Sequence, residues 1–151
     1  RKKNKKLLIV GRGSLEHRLR EKIRKMALGR LIVYLPEVRY DEMWQIHYIS
    51  DYFVNLRPDE IFGMAVMEAV YYKSCVAAVR APGPDTILKD MRGHYLCDGY
   101  EDVIRVIDQN RIDEGAVRES AEKLKKKFSW QICCRYMEET AGEGRALLPE
   151  K

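Results

Sequence analysis

Five short apolar runs recur along the chain, each followed by a stretch that reads as a helix or a turn. They are LLIV at Leu7–Val10, LIVY at residues 31–34, YFVN at Tyr52–Asn55, CVAAV at Cys75–Val79 and HYLC at residues 94–97. LLIV and CVAAV contain no polar residue, which marks strands covered on both faces rather than strands with one wet side. Between the runs the spacing is helical. Leu15, Leu19, Ile23 and Met26 share one face of a helix expected over residues 15–27. A short helix is expected at 40–47, with Met43, Trp44 and His47 to one side, and 63–72 is rich in good helix formers. Further helices are expected at 100–109, 113–127 and 130–139, while APGPD at 81–85 reads as the loop closing the fourth strand. Strands alternating with helices imply an α/β fold, a Rossmann-like parallel sheet with helices on both faces. Such sheets bind ligands beyond the carboxyl ends of their strands, here residues 11–14, 35–39, 55–63 and 80–85.

At 151 residues the expectation is one folded domain over 1–140, followed by a flexible tail over 141–151 that holds Gly142 and Gly144. The apolar runs are far too short to span a bilayer, and RKKNKK leads into only four apolar residues, so it does not read as a secretory signal. The expected location is cytoplasmic. A first residue that is arginine fits a segment of a longer protein. Cys75, Cys97, Cys133 and Cys134 form no C-x-x-C pair and read as reduced thiols, and no His or Cys recurs at metal-ligand spacing. The net charge of +5 is concentrated, with five cations in residues 1–6 and four in 123–127. These are either solvated surface or an attraction to a phosphorylated ligand, lipid headgroups or nucleic acid, and charge alone does not choose among them.

Two segments are suited to phosphate. VGRGS runs from a strand through Gly11 and Gly13 toward a helix, with Ser14 placed as its N-cap. The third glycine of a dinucleotide fingerprint would fall at Glu16, so this segment alone also fits a tight turn with no ligand. The second segment, EIFGMAVMEAV at residues 60–70, is richer, because it sets two glutamates with seven residues between them around a glycine. A helix beginning near Gly63 points the free amides of Phe62, Gly63 and Met64 out of its amino end, where an anion is favoured. Glu60 lies just outside that end. Glu68 lies five residues in, about 7.5 Å along the axis, a spacing that suits a group one sugar unit away from a phosphate. A carboxylate accepts two neighbouring hydroxyls at once, so the segment reads as two hydroxyl clamps around a phosphate cradle. The plain alternative makes Glu60 a helix-dipole partner and Glu68 a solvent-facing glutamate, though Glu68 sits among Val66, Met67, Ala69 and Val70.

From about Leu7 to Glu139 the chain resembles the C-terminal, donor-binding domain of retaining family 4 glycosyltransferases of the GT-B fold. EIFGMAVMEAV is similar to the family's E-G-F-G-x-x-x-x-E-A-M pattern, and LLIVGRGSLEHRLR to its strand, glycine turn and helix. IVYLPEVRYDEM resembles its F-L-G-x-V-x-x-x-E-L segment, CVAAVRAPGPDTI the strand and glycine loop after the motif, and FSWQICCRYME its closing F-S-W helix. The resemblance implies transfer of a hexose, with retained anomeric configuration, from a nucleoside diphosphate sugar to a sugar or lipid-linked acceptor. It places Glu60 on the donor-sugar hydroxyls as the catalytic glutamate, Glu68 on the ribose, and the amides of Phe62, Gly63 and Met64 on the sugar and diphosphate. Backbone at Leu35 and Val38 would meet the base, and Gly11, Gly13 and Ser14 would line the donor side. It implies no cofactor, no metal and no protein nucleophile, the donor phosphate helping to take the acceptor's proton. Its partners would be the nucleotide sugar, an N-terminal acceptor domain and a membrane surface or lipid-linked acceptor. Nucleic acid is not expected.

Three departures stand out. Ile61 replaces the glycine after the first glutamate, so that turn must avoid positive φ. KSC at residues 73–75 replaces the family's G-x-P. The strand and turn that supply an arginine and a lysine to the diphosphate find no match in RKKNKK, which predicts a gap in the sheet between the strands at Leu7 and Tyr52. Without the acceptor domain this chain is expected to show negligible transfer. The alternative reading is a non-catalytic Rossmann- or flavodoxin-like binding or regulatory module that works through its basic ends. A dinucleotide-dependent oxidoreductase is disfavoured, because the strand at 31–35 ends in Pro36 with only Glu37 near the place of the ribose-binding acid.

Overall fold

A computed structural model describes residues 5–129. The helix expected at 130–139, the tail, Cys133 and Cys134 lie outside the described residues, as do the first four residues of the basic run. The chain divides into two compact units, Arg1–Trp44 and Gln45–Lys151.

In the first unit β1 (Leu7–Val10) pairs in parallel with β2 (Ile32–Leu35), with Leu7 opposite Ile32 and Val10 opposite Leu35. The connection runs through α1 (Glu16–Lys25), two residues shorter than expected at its carboxyl end and one at its amino end. The expectation that β1 is covered on both faces fails. No described residue of this unit is buried, and Leu7 and Val33 are each 48% exposed. Two four-residue strands and one helix present too little surface to enclose one another.

The second unit holds the core. β3 (Tyr52–Asn55), β4 (Cys75–Val79) and β5 (Tyr95–Cys97) form a parallel sheet in that order. β4 is central and buried throughout, because its side chains serve two helical layers. Val76 and Ala78 pack with Val66 and Val70 of α3 (Met64–Tyr71), Ile87 and Leu88 of α4 (Pro82–Leu88), and Leu124 of α6 (Glu114–Lys127). Ala77 and Val79 turn the other way, onto Cys97 and onto Val103 of α5 (Tyr100–Gln109). Each fully buried valine contributes about 1.5–3 kcal/mol of apolar burial relative to exposure.

A 3₁₀ turn (Tyr40–Glu42) leads into α2 (Met43–Ile49), whose buried His47 stacks on Tyr72 with ring centres 5.7 Å apart. The helix α4 is the element the sequence reading takes for a loop. Pro82 and Pro84 fall in its first turn, where a missing N–H costs nothing and the fixed φ favours a helix. Cys75 and Cys97 are buried free thiols, and burial pushes Cys75 up to about 12.

Candidate functional site

The carboxyl end of β3 leads into the segment with the paired glutamates. Asn55 is buried there, and its Oδ1 accepts the Arg57 N–H at 2.9 Å, turning the chain outward. Six residues after Arg57, Gly63 occupies the N-cap of α3 with φ 71° and ψ 38°, a left-handed conformation that a Cβ would strain. Its carbonyl accepts the Met67 N–H at 3.0 Å, and its own N–H donates to Glu60 Oε1 at 3.1 Å. Glu60 is thus held at the amino end of α3, where a negative charge meets the helix dipole.

This geometry refines the expected cradle. The amides of Phe62, Gly63 and Met64 are not three equivalent donors, because Gly63 is already satisfied by Glu60. Met64, Ala65 and Val66, as the first residues of the helix, have no intrahelical acceptor for their amides, and no side chain caps the helix from Gly63. The second carboxylate oxygen of Glu60 lies 3.9 Å from Arg57 Nη1, an exposed partner that also reaches Asp59 at 3.4 Å. The hydrogen bond to Asp59, with the charges of Asp59 and Glu60 behind it, raises the pKa of Arg57, and Arg57 in return lowers that of Asp59. Arg57 is a charged member of this loop that sequence reading passed over, although its position three residues before Glu60 was a readable signal.

Ile61 is absent from the positive-φ residues, as its side chain requires. The side chains of Ile61, Phe62 and Met64 are 68%, 78% and 62% exposed, an apolar rim around the helix end. Glu68 is half-buried, between buried Val66 and Ala69 on α3. It is therefore neither sealed in the core nor a freely solvated helix glutamate.

The remaining candidates lie in the first unit. Gly11 adopts φ 128°, its N–H donates to the Leu35 carbonyl at 3.0 Å, and its carbonyl accepts the Tyr34 hydroxyl at 2.7 Å. Gly13 closes the turn by accepting the Glu16 N–H at 3.0 Å. That turn displaces the expected cap: Leu15, not Ser14, takes the N-cap of α1, and no side chain caps it. An open cleft of about 510 Å³ is lined by Gly11, Arg12 and Gly13 together with Arg18, Lys22 and Tyr34. Arg12 pairs with Glu37 at 2.7 Å. Leu35 and Val38 are half-buried and do not line this cleft. The structure therefore groups Gly11 with Gly13 in one unit, and Glu60, Phe62, Gly63, Met64 and Glu68 in the other. Among the described residues no three His, Cys, Asp or Glu side chains cluster as metal ligands.

Several solved structures share this fold. Sucrose-phosphate synthase from Thermosynechococcus elongatus superposes with a TM-score of 0.76 at 15% identity, over 95% of this chain and 39% of that one. HepE of Anabaena, solved in complex with UDP-glucose, gives 0.73 at 17% identity over 91% of this chain and 41% of its own. The pneumococcal O-GlcNAc transferase GtfA, in complex with UDP and GlcNAc, gives 0.71 at 21% identity, over 91% and 29% respectively. At these identities the likeness concerns the fold, which is that of the C-terminal, Rossmann-like half of a GT-B glycosyltransferase, and the chain spans about two-fifths or less of each of these proteins. No curated protein matches the chain. The model of the family described as glycosyl transferases group 1 matches residues 1–128, so the chain belongs to that family.

Proposed function

We propose that residues 60–68 bind a nucleoside diphosphate sugar, and that the chain is the donor domain of a retaining glycosyltransferase. One observation carries the reading: a glycine-capped helix end with unsatisfied amides stands between two partly buried glutamates. The diphosphate meets the Met64 and Ala65 amides and the positive end of the α3 dipole. Glu60 keeps Oε1 on Gly63 and turns Oε2 to the donor-sugar hydroxyls, while Glu68 takes the ribose. For the first unit, taken by itself, we propose that Gly11, Gly13 and Ser14, with the backbone at Leu35 and Val38, form a surface suited to a nucleotide. HepE solved with UDP-glucose and GtfA solved with UDP and GlcNAc support a donor of this class.

The reaction proposed is transfer of a hexose to a sugar or lipid-linked acceptor, without metal or protein nucleophile, the donor phosphate helping to take the acceptor's proton. An acceptor-binding domain outside this sequence completes the enzyme, and these 151 residues alone are expected to show negligible transfer. We place the protein in the cytoplasm, at a membrane surface where the acceptor is lipid-linked. No described helix is long and apolar enough to cross a membrane.

Calorimetric titration with UDP, GDP and ADP sugars tests the reading. One of them is expected to bind, and Glu68→Ala to weaken it about tenfold, the worth of one charged hydrogen bond. Equal affinity in the variant removes the ribose clamp. Affinity that follows salt and the charges of Arg1, Lys2, Lys3, Lys5 and Lys6, and ignores Glu60 and Glu68, favours the binding-module reading instead.

A further inference from the structure

Gly83 lies in the first turn of α4, directly after the chain leaves β4. Its N–H donates to the main-chain carbonyl of Glu60 at 2.9 Å, which ties α4 to the loop in front of α3. A Cβ added at Gly83 would stand 2.7 Å from the Phe62 carbonyl carbon, 2.9 Å from Gly63 N and 3.0 Å from the Ile61 carbonyl carbon. All three are backbone atoms, which cannot rotate aside as a side chain can. The φ of Gly83 is outside the left-handed region, so the need for glycine here is one of space, not of backbone conformation. Ile87 and Pro84 continue the same floor: Ile87 Cδ1 lies 3.0 Å and Pro84 Cδ 3.6 Å from where a Gly63 Cβ would be. Gly83, Pro84 and Ile87 are buried, whereas Ile61 and Phe62 on the opposite side of the loop are exposed.

We propose that Gly83 is a positioning residue for donor binding: its bare Cα sets how deeply the backbone at 61–63 sits, and so where the Glu60 carboxylate is held. The inference rests on the donor-site reading above. The Glu60–Gly63 hydrogen bond, at 3.1 Å, is already near the long end of its range, so a shift of a few tenths of an ångström breaks it. Glu60 then loses the tether that aims its second oxygen. Nothing in the local sequence marks this role, since APGPD reads as an ordinary turn.

Gly83→Ala in the 151-residue chain tests it, with UDP-glucose as the probe and circular dichroism fixing a temperature at which both chains are folded. The expected result is about tenfold weaker binding in the variant. A role confined to stability would not produce the second expected result, which comes from a double-mutant cycle. On a Glu60→Ala background, Gly83→Ala costs no further affinity, because the group it positions is already gone. Unchanged affinity in Gly83→Ala, or losses that simply add in the cycle, overturn the positioning role while leaving the donor site intact. Should UDP-glucose not bind, GDP-glucose or ADP-glucose replaces it as the probe, and no binding of any of the three by the unaltered chain overturns the donor-site reading, and the inference with it. Should Gly83→Ala fail to fold, Ile87→Val takes its place in the same cycle, deleting the methyl that faces Gly63. It is expected to weaken UDP-glucose about threefold, and not at all on the Glu60→Ala background; an unchanged affinity in Ile87→Val alone overturns the proposal.

Discussion

His94 sits at the start of β5 with its ring turned into the sheet. Nδ1 accepts the Val76 N–H at 3.1 Å, so the proton resides on Nε2, which is buried with no hydrogen-bond partner among the described residues. Burial pulls its pKa down to about 4, and it pulls that of His47 down as well. The native state thus binds fewer protons than the unfolded chain between pH 4 and the ordinary histidine value of about 6.5. Stability is complete above that window and falls as the pH drops through it, by on the order of 2 kcal/mol for a ring that is partly exposed. Urea midpoints at pH 7 and pH 4.5 are expected to differ accordingly, and His94→Gln to reduce the difference. A midpoint independent of pH in the unaltered chain would show that the ring protonates in place. At this scale the sequence was informative about chemistry and silent about proximity. Glu60, Gly63 and Glu68 could be singled out because their spacing along a helix is fixed by its pitch. Gly83 could not, because its contact with residues 61–63 joins elements separated by an entire strand and helix. Ser14 misled for a local reason: the Gly13–Glu16 turn pushes the start of α1 one residue further on.

Elements built from continuous apolar runs emerge with the bounds the sequence assigns, as β1, β3 and β4 do. α5 does too, since its apolar positions recur every three to four residues. α6 starts at Glu114 because Asp113 caps it, with Oδ1 accepting the Ala116 N–H at 3.0 Å. Its last turn carries Lys125, Lys126 and Lys127, where cations suit the carboxyl end of a helix. Asp113→Ala is expected to cost about 1 kcal/mol and to lower the melting temperature by about 3 °C, read by calorimetry. An unchanged melting temperature would mean that solvent replaces the cap at no cost. α4 escaped because two prolines and a glycine in sequence signal a turn, and only the placement of both prolines in the first turn reconciles them with a helix. β1 was read as covered on both faces from its composition, but burial depends on what other elements supply, and composition does not report that.

At the scale of the molecule, the two units differ in kind. Gln45–Lys151 encloses a core with helical layers on both faces of β4, whereas the described part of Arg1–Trp44 holds no buried residue. The first unit is therefore expected to exchange its amide hydrogens faster than the second in the ligand-free chain, with β4 the slowest segment of all. Equal rates in β1 and β4 would contradict that difference in burial. The same experiment, repeated with a saturating nucleotide sugar, bears on the central claim that a diphosphate sits at the amino end of α3 between Glu60 and Glu68. Hydrogen exchange of the chain with and without UDP-glucose is expected to slow at residues 60–68, most at the Met64 and Ala65 amides. Saturation that leaves 60–68 as fast as before, with protection only at the basic ends or nowhere, would contradict it.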